Sequence, residues 1–228
     1  MRETTEIATD LTSALSADIK FLGNLLGKVI REQHGTSAFD LVEYVRANAK
    51  ARRKGDAFAT ATLASAIENL DLEHKRILIK AFSNYFQLIN IAEDEQRIRV
   101  LRQRETQGRA DESIEEAIYA MSQSGVPVEQ MRALLDRLCA RLVLTAHPSE
   151  AKRKEVLIKL RSIAKRMDDK EGHALIPREQ RALEKAVTEE IEELWQTRPT
   201  RATGATVADE VDFGVYFLTS AVMDIVGS

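Results

Sequence analysis

The chain has 228 residues, 44% hydrophobic, 30% charged and only 5% aromatic, with a formal net charge of −3. That balance excludes a globally cationic nucleic-acid binder, and no apolar run approaches the roughly 20 residues needed to cross a bilayer. Cys139 is the single cysteine, which excludes an intrachain disulfide framework and fits a mostly helical protein of a reducing compartment, the cytoplasm.

Over residues 7–31, Leu15, Ile19, Leu22, Leu26 and Val29 recur at intervals of four and three, the pattern of an amphipathic helix. Gly23 and Gly27 share one face, where a neighbouring backbone could come close, and Gly35 is the expected stop. A second helix is predicted over about 38–50, then a solvated turn at Arg52-Arg53-Lys54-Gly55-Asp56, then a third helix over about 57–70. The long run at about 72–107 carries apolar residues around much of its circumference, so burial on more than one side is expected. Asn90 and Glu93 would then need polar partners. Beyond Ile91 the run turns charged and reads as a salt-bridged face bordering solvent.

After a loop at Gln107-Gly108-Arg109-Ala110, Asp111 or Ser113 is placed to cap a helix carrying Ile114, Ala117, Ile118 and Met121, which stops at Ser124-Gly125. Pro127 sits in the first turn of another helix, reaching about residue 140, and Cys139 is expected to be a buried packing residue. A single short strand is expected at about 141–146. It is followed by a basic helix at about 149–167, a polar loop, a helix from Pro177 to Trp195, an extended loop at 197–208 and a last helix from Asp209 to about 226. The strand divides an N-terminal helical region, 1–140, from a second region, 141–228. One strand among about nine helices lacks partners for its backbone groups, which points to the N-terminal piece of something larger.

The chemistry gathers where that strand ends, at His147-Pro148-Ser149, before the cations Lys152, Arg153 and Lys154. Ser149 is placed to cap the basic helix, and the free N–H groups of a helix start favour an anion. At about 100° per residue, Arg153 falls near the middle of an apolar face made by Val156, Leu157, Leu160, Ile163, Ala164 and Met167. An inward arginine needs an anion, either a bound ligand or a structural carboxylate. From the residues alone His147 is either catalytic or structural, and Lys159, Arg161, Lys165 and Arg166 read as a solvated face.

Thr145-Ala146-His147-Pro148-Ser149-Glu150-Ala151-Lys152-Arg153-Lys154 closely resembles the first signature of phosphoenolpyruvate carboxylases, T-A-H-P-T-x-x-x-R-R. Ser149 keeps the hydroxyl of the usual threonine, whereas Lys154 keeps the charge of the second arginine but not its fork. Asp18-Ile19-Lys20-Phe21-Leu22-Gly23, Asn90-Ile91-Ala92-Glu93, Leu194-Trp195-Gln196-Thr197 and Asp209-Glu210 resemble further family segments in the same order. The stretch between Trp195 and Arg198 is shorter than usual, and 201–208 is longer.

The resemblance implies a mainly helical N-terminal part of an α/β-barrel enzyme, with the strand at 141–146 as the first barrel strand. It further implies carboxylation of phosphoenolpyruvate with bicarbonate to oxaloacetate and phosphate, with Mg²⁺ or Mn²⁺ held by residues outside this sequence. His147 is the implied catalytic residue, Arg153 a substrate-binding one, and Lys154 a weaker second. The implied partners are the remainder of the same polypeptide and further copies in a homotetramer, without nucleic acid or membrane. The alternative is a non-enzymatic helical interaction or regulatory module derived from that family.

Overall fold

The computed structural model describes residues 2–106, 108, 113–139, 141, 153–171, 175–198 and 206–223. They form α1 (Arg2–Arg53), α2 (Ala57–Glu68), α3 (Leu72–Thr106), α4 (Ile114–Gln123), α5 (Val128–Leu135), α6 (Lys154–Glu171), α7 (Pro177–Gln196) and α8 (Val207–Phe217). A π-helical turn at Leu218–Val222 follows. The fold is mainly α, as the composition and periodicity imply. Among the described residues there is no strand, and the stretch 142–146 expected to form one lies outside them.

The first two predicted helices run together as α1, interrupted only at Gly35, whose φ of 83° and ψ of 173° break the helix without a loop. A positive φ of that size suits glycine, because a Cβ would clash with the backbone. Helix starts follow the expected chemistry. Asp56 Oδ1 accepts from the N–H groups of Phe58 (3.0 Å) and Ala59 (3.1 Å), and Ser113 Oγ accepts from Glu116 N–H (3.0 Å). The last helix opens earlier than predicted, because Thr206 and Asp209 cap one another's end of its first turn.

One hydrophobic core joins α1, α3, α6 and α7, with α2 laid against α1. Trp195, Leu22, Ile30, Leu88, Ile163, Met167 and Ile191 are its largest fully buried side chains. Each contributes about 1.5–3 kcal/mol by leaving water. Helices from both sides of residue 140 therefore share the same core.

Helix α3 corrects an expectation. It buries one stripe (Ile77, Leu78, Ala81, Asn84, Leu88, Ile91, Ala92, Glu95), while Ile79 and Phe86 stand exposed. The residues recur at helical spacing, so a single face is covered by α1, α6 and α7. Asn90 and Glu93 lie outside the stripe and are exposed. Asn84 and Glu95 are the buried polar residues of this helix instead.

Cys139 is a second correction, for it is exposed. Helix α5 ends at Leu135, well short of residue 140. Among the described residues α4 and α5 pack chiefly on each other, leaving Ile114, Val128, Leu134 and Leu138 open to solvent.

Candidate functional site at the start of α6

Helix α6 starts at Lys154, later than the sequence pattern suggests, and its apolar face is the predicted one. Val156, Ile163 and Met167 are buried, with Leu157, Leu160 and Ala164 half-buried. Arg153 consequently sits in the cap position, where its carbonyl accepts from Leu157 N–H at 3.2 Å. It is not on the wheel at all. Its side chain is 33% exposed, and Nε lies 3.3 Å from Glu155 Oε2. That distance gives charge attraction, yet the N–H is not aligned as a hydrogen bond and the buried Nε has no hydrogen-bond partner. Among the described residues, Glu155 is the carboxylate nearest this guanidinium, and an exposed pair of this kind is weak.

Lys154 is exposed, with Nζ 5.7 Å from the centroid of the Tyr216 ring, near the outer limit of a cation–π contact. His147, Lys152 and the capping hydroxyl expected at Ser149 lie outside the described residues. The structure thus brings Arg153 and Lys154 together at one helix end.

The later cations are only partly the solvated face expected of them. Lys159 Nζ lies 3.2 Å from Glu190 and also contacts Glu193, while Ser162 Oγ donates to Glu190 Oε1 at 2.7 Å and Arg166 approaches the same carboxylate at 3.9 Å. The hydrogen bond to Glu193 raises the pKa of Lys159, so its charge is held more firmly. These contacts clamp α6 along α7 and fix the direction in which its first turn points. Arg161 and Lys165 are exposed.

Sequence reasoning missed an ionic junction at the other end of α6. Asp18 of α1 is only 2% exposed, and its Oδ1 accepts from Lys170 Nζ at 2.7 Å while its Oδ2 accepts from Arg99 of α3. Arg99 also binds Glu171 and donates to Gln96 Oε1 at 3.1 Å. A signal for this existed. Asp18 continues the Leu15, Ile19, Leu22 stripe, Glu95 and Arg99 continue the Leu88, Ile91, Ala92 stripe, and Lys170 continues Ile163 and Met167. Charged residues at core spacing in three segments should be read as partners.

Among the described residues no group of three His, Cys, Asp or Glu side chains could hold a metal ion. No helix among them is long and apolar enough to cross a membrane.

Fold and site together define a mainly helical module with a half-buried arginine and a second cation at one helix start. Residues 15–228 match the family model described as phosphoenolpyruvate carboxylase, and the chain belongs to that family. It is 41% identical over 218 residues to a phosphoenolpyruvate carboxylase of Roseiflexus castenholzii, covering 93% of this chain and 23% of that protein. It is 34% identical over 224 residues to one of Thermus thermophilus (96% and 25%), and 35% over 211 residues to one of Aromatoleum aromaticum (91% and 23%). The chain spans about a quarter of the length of the curated relatives it matches.

Proposed function

We propose that this chain supplies one wall of a phosphoenolpyruvate carboxylation site, as the N-terminal part of a longer polypeptide. The observation that carries this reading is the family match over residues 15–228, a span that contains Thr145-Ala146-His147-Pro148. In the reaction a bicarbonate oxygen attacks phosphorus, the bond to the enol oxygen breaks, and carboxyphosphate and an enolate result. His147 takes the proton of the carboxyl group. The carbon–oxygen bond to phosphate then breaks, releasing CO₂, which the enolate carbon attacks to give oxaloacetate. An imidazole titrates near neutrality and suits that transfer.

Arg153 stabilises the phosphate or carboxyphosphate charge, supported by the N–H groups of the α6 start and by Lys154 as a weaker second cation. Among the described residues its buried Nε has no hydrogen-bond partner, with Glu155 at 3.3 Å, and this supports such a role. The exposed apolar side chains Ile114, Val128, Leu138 and Val207 support the reading as part of a larger body. In this reading the Mg²⁺ or Mn²⁺ ligands belong to the rest of that polypeptide, and the complete enzyme is a cytoplasmic homotetramer.

The test is His147→Asn in the complete carboxylase, with oxaloacetate followed through malate dehydrogenase and NADH absorbance. A loss of about 10²–10⁴-fold in kcat is expected, and a rate near wild type would overturn the assignment. Purified alone, the 228-residue chain is expected to form no oxaloacetate.

A further inference from the structure

The junction of α1, α3 and α6 has a charge count that depends on one side chain. Among the described residues, Asp18, Asp168 and Glu171 are paired with Arg99, Arg102 and Lys170, three carboxylates against three cations. Glu95 is the fourth carboxylate. It is 5% exposed and lies on the buried stripe of α3, one turn before Arg99, whose guanidinium pairs with Asp18 of α1 and Glu171 of α6. Arg102 reaches Asp168 at 3.7 Å on the solvent side, and Lys170 is held against Asp18 and above the Phe21 ring at 5.3 Å.

We propose that this junction is a proton-operated latch on the C-terminal turns of α6. With Glu95 protonated the charges balance and α6 stays moored to α1 and α3. With Glu95 ionised an uncompensated negative charge faces Asp18, Asp168 and Glu171, and the mooring loosens. Burial is the main cause that raises the Glu95 pKa, followed by Asp168, with Glu171 and Asp18 adding and Arg99 opposing. The sign follows from linkage. The folded state holds this proton more tightly than the unfolded one, so its contribution is complete below the ordinary glutamate range. It is lost as pH rises through the folded value. The latch acts at the far end of α6 from Arg153, about 27 Å away at about 1.5 Å rise per residue.

Hydrogen exchange of this chain at about pH 4, below the ordinary glutamate range, and at about pH 8, corrected for intrinsic rates, tests the latch. In the wild type, protection of the last turns of α6 is expected to fall several-fold at the higher pH while α2 holds. Glu95→Gln is expected to abolish that fall. Asp168→Asn, a change at an exposed rim position, is expected to reduce it, and this second variant decides the matter if the first does not fold. Wild-type pH dependence in both variants, or equal loss of protection in α2 and α6, would overturn the proposal.

Discussion

The indole N–H of Trp195 donates to His34 Nε2 at 3.1 Å, with the two rings edge to face at a centroid separation of 5.5 Å. Trp195 is 2% exposed on α7, whereas His34 is the exposed residue just before the Gly35 break in α1. Lys80 of α3 places Nζ 5.0 Å from the same indole. Three helices therefore converge on the chain's only tryptophan. As acceptor, Nε2 must be unprotonated, which puts the ring hydrogen on Nδ1. A buried indole donor without an acceptor is costly, and His34 is what satisfies it.

Replacing His34 with alanine should destabilise the protein by about 1 kcal/mol, the cost of leaving one buried donor unpaired. His34→Gln retains an acceptor at similar reach and should recover much of the loss. Urea unfolding followed by Trp195 emission measures both, since no other tryptophan contributes. Equal losses in the two variants would show that the ring packing, not the hydrogen bond, carries the contribution.

The two glycines on the first face of α1 should respond oppositely to alanine. A Cβ on Gly27 would stand 2.8 Å from Cε2 of Phe39, and the Arg31 guanidinium lies 3.9 Å from the centroid of the same ring. The ring is also packed against the hydrophobic core, which limits how far it can move, so Gly27→Ala is expected to cost about 1–3 kcal/mol by overpacking. A Cβ on Gly23 would meet Tyr85 Cε2 at 3.6 Å, an ordinary contact. Gly23→Ala should be neutral or stabilising by up to about 1 kcal/mol, from helix propensity. Thermal unfolding of the two variants side by side checks the contrast.

These glycines show what the sequence made legible. Their shared face was readable from a spacing of four, but what approaches is an aromatic ring in each case, and only packing determines that. Leu22, Leu26 and Val29 were legible as core because periodicity marks apolar faces directly. Asp18, Glu95 and Arg99 were not, because a pattern built on apolar residues passes over charges that occupy the same stripe. Cys139 failed for another reason. A run of leucines promises burial only where something covers it, and α5 ends at Leu135, packed chiefly on α4 among the described residues. At the start of α6 the wheel misplaced Arg153, since a wheel presumes that the helix has already begun.

Among the described residues, the Asp18 carboxylate should be the most costly charge to remove. It is almost fully buried and accepts from both Arg99 and Lys170. Asp18→Ala leaves the Arg99 guanidinium, itself only 10% exposed, with Glu171 as its remaining carboxylate partner. Breaking a buried pair from one side typically costs about 3–5 kcal/mol, because the surviving charge stays desolvated. Removing both charges, with Asp18→Ala and Arg99→Met together, should restore part of that loss, since no orphaned guanidinium then remains. A double-mutant cycle in urea measures the coupling directly. If the double variant is as unstable as the sum of the two single ones, the pair is not coupled, and the stability of the junction rests on its apolar surroundings.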